Sequence, residues 1–214
     1  MKKIVLSLAF VIGLTASASA QVLYTSFSFY GTPQSWVSGG ATESLTPAQN
    51  YTFSPSINYQ NGVSFSIIQS GYTNWWYLDF ASATQTPLQV GYYGNAIRFP
   101  FNVYDGVYQL TNQNGLSFVG DGRGDNGLTG YFDVLQVDYS PGGSLRDFAA
   151  DFVQYDEGVQ AAANYGSIRY NSTIAPSPVP EPSAYALVLG SFGFLGLLAR
   201  RMAGGEVGSI GRSI

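Results

Sequence analysis

From Gln21 to Ala175 the chain is built of short runs in which hydrophobic residues take every second position, separated by Gly, Pro and Asn. Such alternation places the apolar side chains on one face of an extended strand, and the helical spacing that would compete with it is nearly absent. Residues 22–30 and 63–68 alternate most regularly, and further strands are predicted at 75–80, 88–93, 96–101 and 116–119. Downstream, 131–139 and 145–155 flank Ser140-Pro-Gly-Gly-Ser144, a hairpin loop rich in turn formers. Within 145–155, Phe148, Ala150 and Phe152 share one face and Asp147 and Asp151 the other. Its partner changes phase after Val134, which calls for a bulge near Val134-Leu135. With 165–170 as a closing strand, the pattern predicts an all-β antiparallel sandwich, jelly-roll-like or barrel-like.

This domain has to hold together without cross-links, because the sequence contains no cysteine and no histidine. Their absence also removes the thiol nucleophile, the commonest general base and the soft metal ligands. Both lysines, Lys2 and Lys3, lie near the N-terminus, so residues 21–175 carry four arginines against eleven acids, a net charge of −7. Nucleic acid, which demands a basic face, is excluded as a partner.

The two ends read as export and anchoring signals. Lys2-Lys3, the apolar stretch 4–14 and Ala18-Ser19-Ala20 form a secretory signal of residues 1–20, with signal peptidase cutting after Ala20. The exported β domain spans 21–175, and 176–182 is a tether with prolines at 176, 178, 180 and 182. Residues 183–199 form an uncharged apolar run of 17 residues closed by Arg200 and Arg201. As a helix it reaches roughly 25 Å, and the two arginines extend that span by reaching the headgroups. Their charge places them on the cytoplasmic side, with the β domain outside and 202–214 as a cytoplasmic tail. The order Pro180-Glu181-Pro182, apolar helix (183–201 with its Arg stop), resembles the PEP-CTERM sorting domain of Gram-negative surface proteins. That resemblance implies an exosortase-type processing enzyme as partner, and a final location at the cell surface or in the extracellular matrix, with exopolysaccharide or biofilm. Members of that family usually stop soon after the arginines, whereas here MAGGEVGSIGRSI follows.

A second likeness covers about fifty residues. The loop Gly120–Gly130, the strand Phe148–Gly158 and Gly166-Ser-Ile-Arg-Tyr170 resemble an uncharacterised group of exported bacterial β proteins. Where that group has cysteines, this chain has Asp125 and Asp156, and Tyr155 stands at a histidine position. The resemblance implies a loop-to-strand disulfide that is replaced here by two acids. Carboxylates brought that close repel unless one is protonated or a cation bridges them, so the pair either shares an ion or stands apart.

Candidate ligand-binding residues follow from side-chain chemistry. Spaced acids in the Gly-rich stretch Asp121-Gly-Arg-Gly-Asp-Asn-Gly127, with Asp156, are the only calcium candidates, although Arg123 occupies a position that a calcium loop gives to an acid. Trp75, Trp76 and Tyr77 are consecutive, so a strand turns two rings one way and one the other. Exposed rings beside Asn, Gln and Asp stack on sugars and bond their hydroxyls, which suits a polysaccharide surface. No catalytic residue is marked out, and the expectation is a non-enzymatic structural or binding role. The alternatives are a carbohydrate-active enzyme using a carboxylate pair and a calcium-dependent adhesion module.

Overall fold

The structure is a computed structural model that describes residues 21–100 and 112–177. The cleavage residues Ala18 and Ala20, the sorting residues Pro180, Glu181, Pro182, Arg200 and Arg201, and the expected membrane helix therefore lie outside the described residues. Among the described residues no helix is long and apolar enough to cross a membrane.

The described residues form ten strands: β1 (Tyr24–Gly31), β2 (Thr42–Leu45), β3 (Tyr51–Ile57), β4 (Val63–Gln69), β5 (Trp75–Ala81), β6 (Gly91–Arg98), β7 (Gly115–Gly120), β8 (Leu128–Tyr139), β9 (Leu145–Asp156) and β10 (Ala163–Ser172). They form one sheet in the order β2-β1-β10-β9-β8-β6-β7-β5-β4-β3. The sheet folds over so that its two halves face each other, and its edges β2 and β3 are joined through the short turn Pro47–Gln49, leaving it nearly closed. The fold is all-β and sandwich- or barrel-like. One pair departs from the antiparallel expectation: β6 and β7 run parallel, through Ile97↔Gly115 and Arg98↔Leu116.

The alternating pattern explains the core. Phe27 and Phe29 of β1, Phe65 of β4, Trp76 and Phe80 of β5, Phe118 of β7, Phe132 of β8 and Phe148 and Phe152 of β9 all project inward and are buried. Rings meet across the two layers: Phe27 with Phe118, Phe29 with Trp76, Phe65 with Phe148, and Phe80 with Phe132. Each buried ring contributes about 1.5–3 kcal/mol and edge-to-face pairing adds roughly 0.5–1.5 kcal/mol, so aromatic packing takes the place of disulfides.

The bulge expected near Val134-Leu135 is present, since Val134 pairs with Ala150 and Gln136 with Ala149, leaving Leu135 unpaired. It lets Phe132 and Val134, then Val137 and Tyr139, contribute to the same core. The two strands expected at 88–93 and 96–101 are one strand, β6, whose register slips between Tyr93 and Ala96 where Asn95 takes a positive φ of 50°. β2 and β3 were not expected. β2 is four residues long, and β3 contains Pro55, which argues against a central strand but suits an edge, where a missing N–H also blunts pairing with another chain.

Beyond β10 the chain stays on the sheet. Arg169, fully buried although it points away from the core, donates to Ala175 O (3.1 Å), Ala150 O (3.0 Å) and Ser177 Oγ (3.3 Å). The start of the proline-rich tether is thus fastened over β9 and β10.

Candidate functional site

Asp125 and Asp156, one in a loop and the other on a strand, meet in the fold. Asp156, the last residue of β9, and Asp125, in the loop after β7, are 3% and 4% exposed and lie within hydrogen-bonding reach of each other. Asp156 is held on both oxygens. Its Oδ2 accepts from Trp36 N (2.6 Å), Val37 N (3.1 Å) and the Ser35 hydroxyl (2.9 Å), and its Oδ1 from the Asn164 amide (2.6 Å). Asp125 receives only the Gln154 amide on Oδ2 (2.9 Å), and its buried Oδ1 has no other protein donor. Gln154 also pairs with both the N–H and the C=O of Phe118, tying β9 to β7 across the core. Burial, the charge of Asp156, the hydrogen bond to Asp156 and the charge of Glu157 push the Asp125 carboxyl up to about 8, with Gln154 opposing. Raised that far, the Asp125 carboxyl favours its neutral form near pH 7, which relieves the repulsion that two ionised neighbours would feel.

Asp121 does not join them. It accepts from Trp75 N (2.9 Å) and the Asn74 amide (2.6 Å), where it fastens the turn before β5. Arg123 lies against Gly39. Calcium would need the oxygens of Asp121, Asp125 and Asp156 turned to a common centre, and those of Asp121 and Asp156 are already turned to protein donors. Among the described residues no three acids gather as a metal-holding group.

The three consecutive aromatics divide as a strand requires. Trp76 faces inward, is 0% exposed and donates its indole N–H to Asn74 (2.8 Å), so it packs the core and has no surface to offer a sugar. Trp75 and Tyr77 face outward with their ring centroids 5.3 Å apart, and Tyr77 is 38% exposed.

A second aromatic surface lies on the outer face of the other half of the sheet, and it is concave. Cross-strand register sets Tyr30 of β1 beside Tyr165 of β10, Tyr165 beside Val153 of β9, and Val153 beside Tyr131 of β8. One step along, Ser167, Asp151 and Asp133 form a parallel polar row, to which β6 adds Tyr92 opposite Asp133. All of these except Tyr30, which packs on Tyr165 beside it, wall a groove of about 390 Å³, within the size range of small-molecule sites. At one end the Tyr30 and Tyr165 rings stack at 5.9 Å and 17°; at the other, Tyr92 and Tyr131 lie 5.6 Å apart at 44°. Between them Val153, 6% exposed, supplies an apolar floor. Partial burial, then the neighbouring Tyr155, Tyr92 and Tyr165, raise the Tyr131 phenol above its ordinary value, so it stays a neutral hydrogen-bonding group.

The polar row is anchored from behind. Asp151 faces Arg169 in an ion pair of 2.9 Å without hydrogen-bond alignment, and its Oδ2 accepts the Ser177 hydroxyl at 2.5 Å. Ser177 N donates to Ser167 Oγ at 3.3 Å, so the strap after β10 forms one rim of the groove. Sequence reading placed Asp151 on the outward face of its strand but did not assemble this groove, because the register that aligns Tyr92, Tyr131 and Tyr165 depends on the β6 irregularity and on the β8 bulge. The usable signal was the outward phase of three adjacent strands, each offering a tyrosine or valine two residues from an acid or serine: Tyr131 and Asp133, Asp151 and Val153, Tyr165 and Ser167.

No family model, no curated protein and no solved structure matches this chain. The groove is thus interpreted from its own geometry.

Proposed function

We propose that this chain is an exported, envelope-sorted surface or matrix protein that binds polysaccharide and does not cleave it. The observation that carries this reading is the groove, with two tyrosine platforms separated by an apolar floor and flanked by hydroxyls and carboxylates. Sugars present apolar ring faces and hydroxyl rims, and this surface offers a complement to each. From Tyr30 to Tyr92 the platform crosses four strand intervals, about 19 Å at ~4.8 Å each, enough for a short run of linked sugars. Catalysis is not favoured. Asp133 and Asp151 are direct cross-strand partners, as a carboxylate pair for glycoside hydrolysis would be, but Asp151 is occupied by Arg169 and Ser177 and is not poised to deliver a proton or attack.

The address belongs to the ends of the chain. Signal peptidase removes residues 1–20, the helix 183–201 holds the protein in the inner membrane, and an exosortase-type enzyme processes it near Pro180 for release to the surface or matrix. Mass spectrometry of the mature C-terminus checks this, with an end near Pro180 expected; recovery of protein ending at Ile214 would reduce the segment to a plain anchor. For the binding role, the purified full chain is passed over immobilised polysaccharide from the producing cells. Retention with the polymer recovered at its original length is expected, and hydrolysis of any fraction would convert the reading to an enzyme.

A further inference from the structure

The charge of the groove narrows its ligand, on the premise that it binds glycans as proposed above. Asp133 and Asp151 stand directly opposite each other on β8 and β9, an arrangement in which like charges destabilise a sheet. Arg169 offsets one of them: it is buried behind Asp151 and committed to Asp151, backbone carbonyls and the strap. Asp133 has no hydrogen-bond or ion-pair partner among the described residues, and it lies on the groove between Asp151 and the Tyr92 ring. Among the described residues no cationic side chain lines the groove. One negative charge is therefore left for the ligand to satisfy. One unpaired carboxylate beside two phenols is a poor cage for a hard divalent cation, which takes six or more oxygens. It is a good seat for an ammonium, which donates a charge-assisted hydrogen bond to Asp133 and is attracted to the faces of Tyr92 and Tyr131.

We infer that the groove recognises an amino-bearing glycan, with a free sugar ammonium held between Asp133 and the Tyr92–Tyr131 pair. Acidic glycans are repelled by the same carboxylates, and the net charge of −7 on residues 21–175 adds to the repulsion.

The test is calorimetric titration of the full chain with a β-linked glucosamine oligomer, its fully N-acetylated counterpart and a uronate oligomer of equal length. The free-amine oligomer should bind roughly tenfold more tightly than the acetylated one, the effect of one charge-assisted contact, weaken as salt rises, and leave the uronate without measurable heat. Asp133→Asn, which keeps the shape and removes the charge, should abolish that preference while leaving the melting temperature equal or slightly higher, since a like-charge pair is relieved. Equal affinity for the acetylated and free-amine oligomers, or a preference that survives Asp133→Asn, overturns the ammonium assignment. If at the same time Tyr92→Ala still weakens binding, the sugar-binding reading stands. If no oligomer binds, the sugar-binding reading fails with it.

Discussion

At Asp125 and Asp156 two residues that look like liabilities act as a fastener. Both carboxyls are buried, yet Asp156 is surrounded by N–H and O–H donors while Asp125 lacks one on Oδ1, so the Asp125 carboxyl is the one whose charge the fold opposes. The pair joins the loop after β7 to the end of β9. Its pH dependence has a definite sign. The Asp125 carboxyl is raised from 3.8 to about 8 in the folded state, so the fold holds a proton that the unfolded chain releases. The associated stability is fully present below about pH 4 and is lost as pH rises toward 8, by on the order of 1–3 kcal/mol once solvent screening is allowed for. Asp125→Asn places a permanent donor against Asp156 and should flatten this decline. Chemical denaturation between pH 4 and 9 checks it, and wild-type stability that holds steady or climbs across that window would show that Asp125 does not hold that proton.

At the scale of strands, the outer groove and the inner core constrain each other through β9 and β10. Gly166 lines the groove outside, while inside it leaves room for the Phe152 ring: a Cβ there would lie 2.1 Å from that ring. Phe152 is itself packed against Phe27, Phe80 and Phe118 and cannot retreat. Gly166→Ala should therefore destabilise the domain by about 1–3 kcal/mol through overpacking, seen as a lower melting temperature; an unchanged melting temperature would mean that the ring has space to move. The strands that carry most of the core were legible in the sequence because their alternation is strict, as in Val63, Phe65 and Ile67, or Phe148, Ala150 and Phe152. Even the bulge at Leu135 was readable, as a change of phase. The edges were not: Thr42–Leu45 is short and polar, and Pro55 hides an otherwise alternating Tyr51, Phe53 and Ile57. The Asp125–Asp156 contact was accessible only through a resemblance, since loop-to-strand proximity leaves no local periodic trace. The groove was illegible for a different reason. Each of its residues is an ordinary outward-facing side chain, and only the register of five strands makes them a site.

Seen whole, the molecule separates two tasks. A cysteine-free β domain is closed by aromatic packing and a buried acid pair, while export and sorting are the tasks proposed for the chain ends. The two meet at the strap, where Ala175 and Ser177 are bound to Arg169 and Asp151 before the tether continues toward Pro180. A glycan in the groove would thus lie against the strap that carries Ser177, which fits the proposed role of holding polymer at an envelope or matrix. Trp75 and Tyr77, on the opposite outer face, are the rival surface for that role. The most direct measurement is retention of the full chain on cell-derived polysaccharide, comparing the wild type with Tyr92→Ala/Tyr165→Ala and with Trp75→Ala/Tyr77→Ala, all shown to melt alike. The account predicts that the first double substitution lowers retention at least about tenfold, two stacking contacts being lost, while the second leaves it unchanged. Retention that survives the loss of Tyr92 and Tyr165, or that disappears with Trp75 and Tyr77, would contradict it.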